Sequence, residues 1–399
     1  MQKVAVKVSL KPGKEASLRR YHPWVFSGAI DKIHDKVEEG DLVEVYDSKD
    51  NYLGTGHCQI GTISIRIFAF KNETINYDFW KGKLQQAYNY RKDIGLIDSP
   101  ATNVYRLLYA EGDGLPGLII DYYNGTAVLQ THSIGMHLLK SCIIDALKEI
   151  YGDQLKAVYD KSEETMPKQS DVKAPNGYLF GNSASTEVME NGHKFLVDWE
   201  GGQKTGFFVD QRESRELLAG YSRGRSVLNT FCYTGGFSIY AAKAGASVVH
   251  SVDSSKKAIE LTNRNMELNG YPIAVGGKYE SFAVDTFDFL KGKQNTYDII
   301  VLDPPAFAKH QNVKHNAIMG YKRLNSEAIK QTKPGGLIFT FSCSQVVDRY
   351  SFNSAVMAAA IDAGRNVRIV HQLSQPKDHP VNIFHPEGEY LKGLVIYVE

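Results

Sequence analysis

Cysteine is scarce in this chain of 399 residues. The four thiols, Cys58, Cys142, Cys232 and Cys343, form no C-x-x-C pair and have no histidines at zinc-finger spacing. A disulfide framework and a structural zinc site are therefore not indicated, and a reducing cytoplasm is the expected surroundings. An excess of one charge is missing too. The 46 Lys and Arg face 45 Asp and Glu, and a formal net charge of +1 excludes a generally basic nucleic-acid-binding protein. No apolar run approaches the ~18 residues of a membrane span. The N-terminus carries charges where a signal peptide would have its apolar core, so neither export nor membrane attachment is expected. Internal repeats and low-complexity tracts are absent. What remains is the balance of a globular protein, 43% hydrophobic and 23% charged, in a chain long enough for two or three domains with cores of their own.

The charge is unevenly spread. Residues 1–34 hold Lys3, Lys7, Lys11, Lys14, Arg19, Arg20 and Lys32 against Glu15 and Asp31, an excess of five, and the stretch through Asp50 reverses the sign. Such a cluster is usually a solvated face; an RNA contact is the functional alternative.

Hydrophobic periodicity divides the chain into three expected domains. Residues 1–72 read as short strands (VAVKV, DLVEVYD, YLGTGHC, TISIRIFAF) separated by Gly, Asp and Asn, the pattern of a small barrel or sandwich. Residues 73–190 mix helical spacing, from Phe79 to Leu96 and from Met136 to Tyr151, with strands YRLLYA and GLIIDYY…TAVLQTH around the turn EGDGLPG, and a polar loop is expected over Lys161–Gly177. In residues 191–399 the apolar strands RSVLNTF, ASVVHSVD, YDIIVLDPP and GLIFTFSC alternate with helical stretches, which implies a parallel sheet covered on both faces. In such a sheet ligands lie outside the carboxyl ends of the strands.

The unusual residues stand at those ends. The first strand runs into Cys232-Tyr233-Thr234-Gly235-Gly236-Phe237, a glycine turn that is not the G-x-G-x-x-G dinucleotide fingerprint. The second ends in Asp253-Ser254, where an acid can accept hydrogen bonds from both hydroxyls of a ribose. The third supplies Asp285-Thr286-Phe287, an acid for an adenine amino group and an aromatic to pack on the base. The fourth ends in Asp303-Pro304-Pro305, whose prolines fix the chain's exit and leave carbonyls free to wall a base pocket. Singly, each is an ordinary turn or cap residue. In combination they point to S-adenosylmethionine, with a dinucleotide as the lesser alternative because the phosphate fingerprint is missing.

These motifs resemble class I S-adenosylmethionine-dependent methyltransferases, and the whole chain resembles the family of the large-subunit 23S ribosomal RNA cytosine-5 methyltransferase I. The resemblance spans Arg20-Tyr-His-Pro-Trp-Val-Phe-Ser-Gly28, Glu111-Gly-Asp-Gly-Leu-Pro-Gly-Leu118, Gln203-Lys-Thr-Gly-Phe-Phe-Val-Asp-Gln-Arg212, Phe231-Cys-Tyr-Thr-Gly-Gly-Phe237, Asp303-Pro-Pro-Ala-Phe307, Ser342-Cys-Ser344 and Pro386-Glu-Gly-Glu-Tyr-Leu-Lys-Gly393. It implies an α/β fold: a Rossmann-like class I methyltransferase domain at the C-terminus, a small N-terminal β-barrel of the PUA type that binds RNA, and a mixed α/β middle domain. It further implies that Phe207, Phe208 and Arg212 contact the cofactor or its pocket. Asn229 stands where related enzymes often carry an acid. RNA is the implied partner, as 23S ribosomal RNA or a large-subunit assembly intermediate; no membrane and no metal are expected, and a homodimer stays open.

Cys343, after the fifth strand, gains meaning from this frame. A lone cysteine there is most often a small core residue, and Cys58, Cys142 and Cys232 keep that reading. In the methyltransferase strand order the first, fourth and fifth strands are neighbours, so Cys343 would join Asp303 at one edge of the pocket. Carbon 5 of a pyrimidine is a poor nucleophile, and thiolate addition at carbon 6 activates it. Nitrogen methylation needs no thiol, and its usual pocket places an aromatic at once after Asp/Asn-Pro-Pro; here Ala306 precedes Phe307. Pro305 stands where two-cysteine RNA methyltransferases carry their other cysteine, so a single-cysteine mechanism is implied, with the base left among Asp303, Glu387 and Glu389. His310 and His315 read as solvent or RNA contacts, not metal ligands. Lys309, Lys314, Lys322 and Arg323 read as a solvated face or phosphate contacts. A guanine or other nitrogen methyltransferase and a non-catalytic RNA-binding assembly factor are the rival functions.

Overall fold

The computed structural model describes residues 5–167, 172–182, 186–292, 294–308 and 310–399. Lys3, Lys309 and positions 168–171 of the expected polar loop lie outside the described residues. The chain forms two compact units. The first is Met1–Val188, Val197–Val209 and Lys377–Gly388; the second is Met189–Leu196, Asp210–Pro376 and Glu389–Glu399.

The first unit begins with a six-stranded sheet made of β1 (Val6–Leu10), β2 (Trp24–Phe26), β3 (Ile30–Ile33), β4 (Leu42–Tyr46), β5 (Tyr52–Cys58) and β6 (Ile63–Ala69), with the short helix α1 (Ala16–Arg19) between the first two. Spatial order is β2-β6-β5-β4-β1-β3. Alternation does the folding here: in β4, Val43 and Val45 turn inward while Leu42, Glu44 and Tyr46 are only partly buried. Their partners in the core are Val8, Leu10, Val25, Ile65 and Ile67. The strands β2 and β3 are too short to show a period in the sequence.

A second sheet of the first unit has the order β11-β10-β9-β8-β7. Its strands are β7 (Val104–Tyr109), β8 (Leu118–Tyr123), β9 (Thr126–Thr131), β10 (Ala157–Asp160) and β11 (Gly177–Phe180). It packs against α2 (Tyr77–Asp93), α3 (Ile134–Leu138) and α4 (Lys140–Tyr151). The single helix expected over Met136–Tyr151 is thus two, with Leu139 ending one and starting the next. The EGDGLPG segment is the link of an antiparallel hairpin, β7 to β8. The expected polar loop is not all surface: Ser162 is fully buried and accepts the Thr131 amide, and Met166 and Ala174 pack on Ile134. Arg91, wholly buried, donates to both oxygens of Asp113 and to the carbonyls of Arg106 and Asp378. That guanidinium ties the late segment Lys377–Gly388 into this unit.

A separate hairpin, β12 (Glu187–Glu190) and β13 (His193–Leu196), precedes the large sheet. The second unit's sheet comprises β14 (Ser226–Thr230), β15 (Val248–Asp253), β16 (Tyr279–Ala283), β17 (Tyr297–Leu302), β18 (Thr332–Ser342), β19 (Val367–Leu373) and β20 (Lys392–Val398), in the order β16-β15-β14-β17-β18-β20-β19. The first five strands are parallel, and β20 runs antiparallel between β18 and β19. The helices are α5 (Arg212–Ser222), α6 (Gly236–Lys243), α7 (Lys256–Leu268), α8 (Thr286–Leu290), α9 (Lys314–Gln331) and α10 (Arg349–Ala363). The strands expected from the apolar runs are in place. Strands β19 and β20 are two more that the sequence pattern leaves unassigned.

Part of the N-terminal positive excess is neutralised locally. Asp50 pairs with Lys7, and Asp47 accepts Arg19 at 2.6 Å. Asp47 also accepts the Asn51 side chain and the amides of Asn51 and Lys49 in the turn between β4 and β5. These bonds, the Asn51 side chain foremost, hold its carboxyl down to about 2. A depressed native pKa stabilises the fold above the ordinary carboxylate range and loses that stabilisation as pH falls toward about 2. The thermal midpoint of Asp47→Ala should therefore lie below that of the wild type at neutral pH, and the two should converge on acidification. A gap that persists unchanged at pH about 2 would contradict this account.

Candidate active site

The turn after β14 is bent sharply. Phe231, Tyr233 and Gly235 have φ of 52°, 48° and 78°, a left-handed backbone that only the glycine adopts without cost. Strain of that kind persists only where its surroundings hold it, and here they do. Thr262 of α7 donates to the Tyr233 carbonyl at 2.8 Å, and Asn265 donates to that of Thr234 at 3.0 Å. A side chain at Gly235 would meet the Thr262 methyl at 2.8 Å, so this glycine is needed for close approach as well as for conformation.

Asp253 ends β15 beside this turn. One carboxylate oxygen accepts the Tyr233 amide at 3.0 Å and the other accepts the Ser255 amide at 2.9 Å. A carboxylate has about four lone-pair sites, so two stay open for the paired hydroxyls of a ribose. The cap of α7 is Ser255, which leaves Asp253 and the exposed Ser254 before it. Thr234 and Phe237 are buried, and the Phe237 ring packs 5.9 Å from Phe341 of β18. Gly236 leaves room for Arg215, whose Cδ would be 3.0 Å from an added Cβ.

Behind the turn Asn229 is buried. Its amide donates to Ser238 at 2.9 Å, Ser238 meets Ser251 at 2.7 Å, and the Asn229 Oδ1 finds no donor among the described residues. Gln211 Oε1 is another buried acceptor without a donor among the described residues. Orphaned acceptors, open carboxylate lone pairs and a backbone turn held clear of side chains together suit an adenosyl ligand with a ribose diol. Arg212, the first residue of α5, lies 3.4 Å from Glu190, which Arg215 also grips through both oxygens. Phe207 and Phe208 belong to the first unit, where Phe207 is buried and Lys204 lies 4.5 Å over the Phe208 ring.

At the third strand, Asp285 caps α8 by accepting the amides of Phe287 and Asp288 at 2.8 and 3.2 Å. Thr286 is buried, and the Phe287 ring lies under the Arg323 guanidinium at 4.5 Å. The Arg323 charge is thus engaged. Lys314 and Lys322 form ion pairs with Asp348 and Asp362, and His310 and His315 are exposed.

Strands β17 and β18 lie side by side, with Leu302 opposite Thr340. Asp303 and Cys343, both half-buried, follow their ends. The Cys343 Sγ is 4.0 Å from the Pro304 carbonyl, so the structure joins the Asp303-Pro304-Pro305 exit to the cysteine. Phe307 packs on Tyr321 at 4.7 Å. Burial raises the Tyr321 hydroxyl to about 12, with the charges of Cys343 and Asp303 adding to it. Burial pushes the Cys232 thiol up to about 12 and raises those of Cys58 and Cys142, which leaves them less ionised than an ordinary thiol. Lys392, which belongs to the Pro386–Gly393 motif but has no role assigned from the sequence, is buried and donates to the Ser344 carbonyl at 2.6 Å. Its signal was a lysine opening an apolar strand.

Glu389 pairs with Arg349 at 2.6 Å. Glu387 belongs to the first unit, 3.5 Å from His22 and 3.8 Å from His385. Those three side chains are close enough to hold an ion. However, the His22 Nδ1 accepts the Trp24 amide at 3.2 Å, so the neutral ring carries its proton on Nε2, toward Glu387, and has no lone pair there for a metal.

Comparison with known proteins shows the family. A family model described as S-adenosylmethionine-dependent methyltransferase matches residues 171–382, and a PUA-like domain model matches residues 8–70. The chain is 40% identical to a protein of Photobacterium profundum named ribosomal RNA large subunit methyltransferase I, over 98% of this chain and 99% of that one. A protein of the same name from Aeromonas hydrophila is 39% identical over the same shares. A solved methyltransferase complexed with S-adenosylhomocysteine superposes with a TM-score of 0.83 at 25% identity, covering 98% of this chain and all of that one (100%). An S-adenosylmethionine-dependent methyltransferase fold from Streptococcus mutans gives 0.82 at 24% identity, with the same coverage. The chain belongs to the ribosomal RNA large subunit methyltransferase I family of S-adenosylmethionine-dependent methyltransferases.

Proposed function

We propose that the protein methylates carbon 5 of a cytosine in 23S ribosomal RNA, with Cys343 as covalent nucleophile. The coarser activity, S-adenosylmethionine-dependent methylation of large-subunit ribosomal RNA, goes with its family. Its workplace is then the cytoplasm, with the ribosome or its precursors; among the described residues no helix is long and apolar enough to cross a membrane. The observation that carries the finer reading is the position of Cys343. It is the half-buried thiol at the end of β18, within 4.0 Å of the Pro304 carbonyl beyond β17.

The cofactor, when bound, supplies an electrophilic methyl group on a sulfonium. The chain's residues prepare the other reactant. A cytosine flipped out of its stack exposes carbon 6. The Cys343 thiolate adds there, and the ring's electron pair makes carbon 5 enamine-like and able to take the methyl. Removal of the carbon 5 proton restores the double bond, the carbon–sulfur bond breaks, and the thiolate is regenerated. Asp303 is the base this reading assigns, because Glu389 is committed to Arg349 and Glu387 belongs to the first unit beside His22. Asp253 holds the ribose through its open lone pairs. Nitrogen methylation is disfavoured by Phe307, which packs on Tyr321 and so is not the free aromatic wall such a pocket uses.

Asp253→Ala should weaken S-adenosylmethionine binding by about 1–3 kcal/mol in calorimetry, the worth of hydrogen bonds to a charged group. Unchanged affinity would remove Asp253 from the cofactor site. Cys343→Ser should retain cofactor binding and abolish methyl transfer, since an alcohol is a far weaker nucleophile at neutral pH. The wild type should form a covalent adduct with target RNA carrying 5-fluorocytosine, because fluorine cannot leave as a proton. A serine variant of near-normal rate, or methylation of natural RNA without any adduct from the fluorinated one, would favour the nitrogen reading.

A further inference from the structure

Lys392 is 4% exposed, yet among the described residues no carboxylate stands within ion-pair distance of its ammonium. Lysine is almost never buried unless paired, because taking its charge out of water is costly. The ammonium donates to the Ser344 carbonyl at 2.6 Å. In the antiparallel pairing of β18 with β20, Lys392 stands opposite Ser342. Its side chain therefore starts beside Ser342 and ends on Ser344, so that it flanks the residue between them. That residue is Cys343.

We propose that Lys392 is a positioning residue for the nucleophile: its buried ammonium, fixed on the Ser344 carbonyl, holds the Cys343 sulfur as thiolate. The inference rests on the reading of Cys343 as the attacking group. It supplies the partner that the buried lysine otherwise lacks. Ionisation breaks the S–H bond, the proton leaves to solvent, the electron pair stays on sulfur, and the ammonium keeps its three protons. When sulfur adds to carbon 6 its charge passes into the substrate ring, and when it leaves it returns to the same cation.

Asp303, at the end of the neighbouring β17, is the carboxylate that opposes the thiolate, and the ammonium has to outweigh it. Burial lowers the proton affinity of Lys392, and the charge of Cys343 opposes that lowering more than Glu389 or Asp348 does, while Arg349 adds to it. Glu389 is already committed to Arg349, and Asp348 to Lys314. From α9, Tyr321 faces both Cys343 and Asp303; its hydroxyl, raised to about 12, is neutral at physiological pH and adds no competing charge.

The test is the pH dependence of iodoacetamide alkylation at Cys343 in the full chain, read by mass spectrometry of the peptide that contains it, so that Cys58, Cys142 and Cys232 do not contribute. Wild type should reach half its maximal rate well below the ~8.5 of an ordinary thiol. Lys392→Gln keeps an N–H for the Ser344 carbonyl but no charge, and should move the midpoint up by about one pH unit or more. Lys392→Arg should restore most of the shift. The acidic limb of methyl transfer should move upward in Lys392→Gln while S-adenosylmethionine affinity and the melting temperature stay near wild type. A Lys392→Gln midpoint equal to that of wild type overturns the proposal. So does a wild-type midpoint at or above that of an ordinary thiol, a result that needs no variant to fold. A methylating Cys343→Ser enzyme would instead remove the nucleophile, and the alkylation midpoints separate that failure from this one.

Discussion

Parallel pairing of β14 with β17 is the constraint on which the site depends. Thr230 lies opposite Leu302, and the Thr230 hydroxyl donates across the pair to the Val301 carbonyl at 2.6 Å. From β14 the sheet grows through β15 and β16 in one direction and through β17 and β18 in the other. The connections leaving β14 and β17 therefore part, and the crevice between them is where such sheets hold ligands. The glycine turn and Asp253 are delivered from one side, Asp303 and Cys343 from the other. No loop has to reach far; each candidate group stands at the end of its strand or just beyond it.

Buried charge does the work of holding the segments that the sheet alone would not. In the second unit Glu190 accepts both nitrogens of an Arg215 fork, lies 3.4 Å from Arg212 and takes the Tyr240 hydroxyl at 3.0 Å. In the first, Asp121 accepts Arg106 through both oxygens, and Thr205 at 2.6 Å. Thr205 precedes, and Arg212 ends, the Phe207–Arg212 segment that the resemblance implies at the cofactor pocket, and both side chains serve the fold, Thr205 by its bond to Asp121 and Arg212 by its ion pair with Glu190. Breaking such a pair by removing one partner typically costs about 3–5 kcal/mol.

The architecture was legible where the hydrophobic period was long. β14, β15, β17 and β18 are apolar runs bounded by turn residues, and the order of the first, fourth and fifth strands puts Cys343 beside the Asp303-Pro304 exit as that order implies. What stayed hidden was of two kinds. β2 and β3 carry too few residues to show a period, and the edge strand β19 is largely exposed and so lacks an unbroken apolar run. Through-space partnerships between residues far apart in sequence leave no local signal at all: Asp113 with Arg91, Glu190 with Arg215, Lys392 with the carbonyl of Ser344. At Asp285 and Phe287 the sequence showed the residue types but not that capping α8 and packing on Arg323 already engage them.

The placement of β20 has a consequence for the order of assembly. β19 pairs with β20 alone, although it precedes it in the chain, and β18 has β20 on its outer side. The sixth strand cannot join the sheet until the seventh has slid in ahead of it, and long-range pairings of that kind are slow to form because the intervening loop must close first. Lys392 opens β20 and arrives with it. A partly folded chain would present the parallel strands and the thiol of Cys343 without the neighbouring cation, so the surroundings of that sulfur would be completed in the closing step of folding.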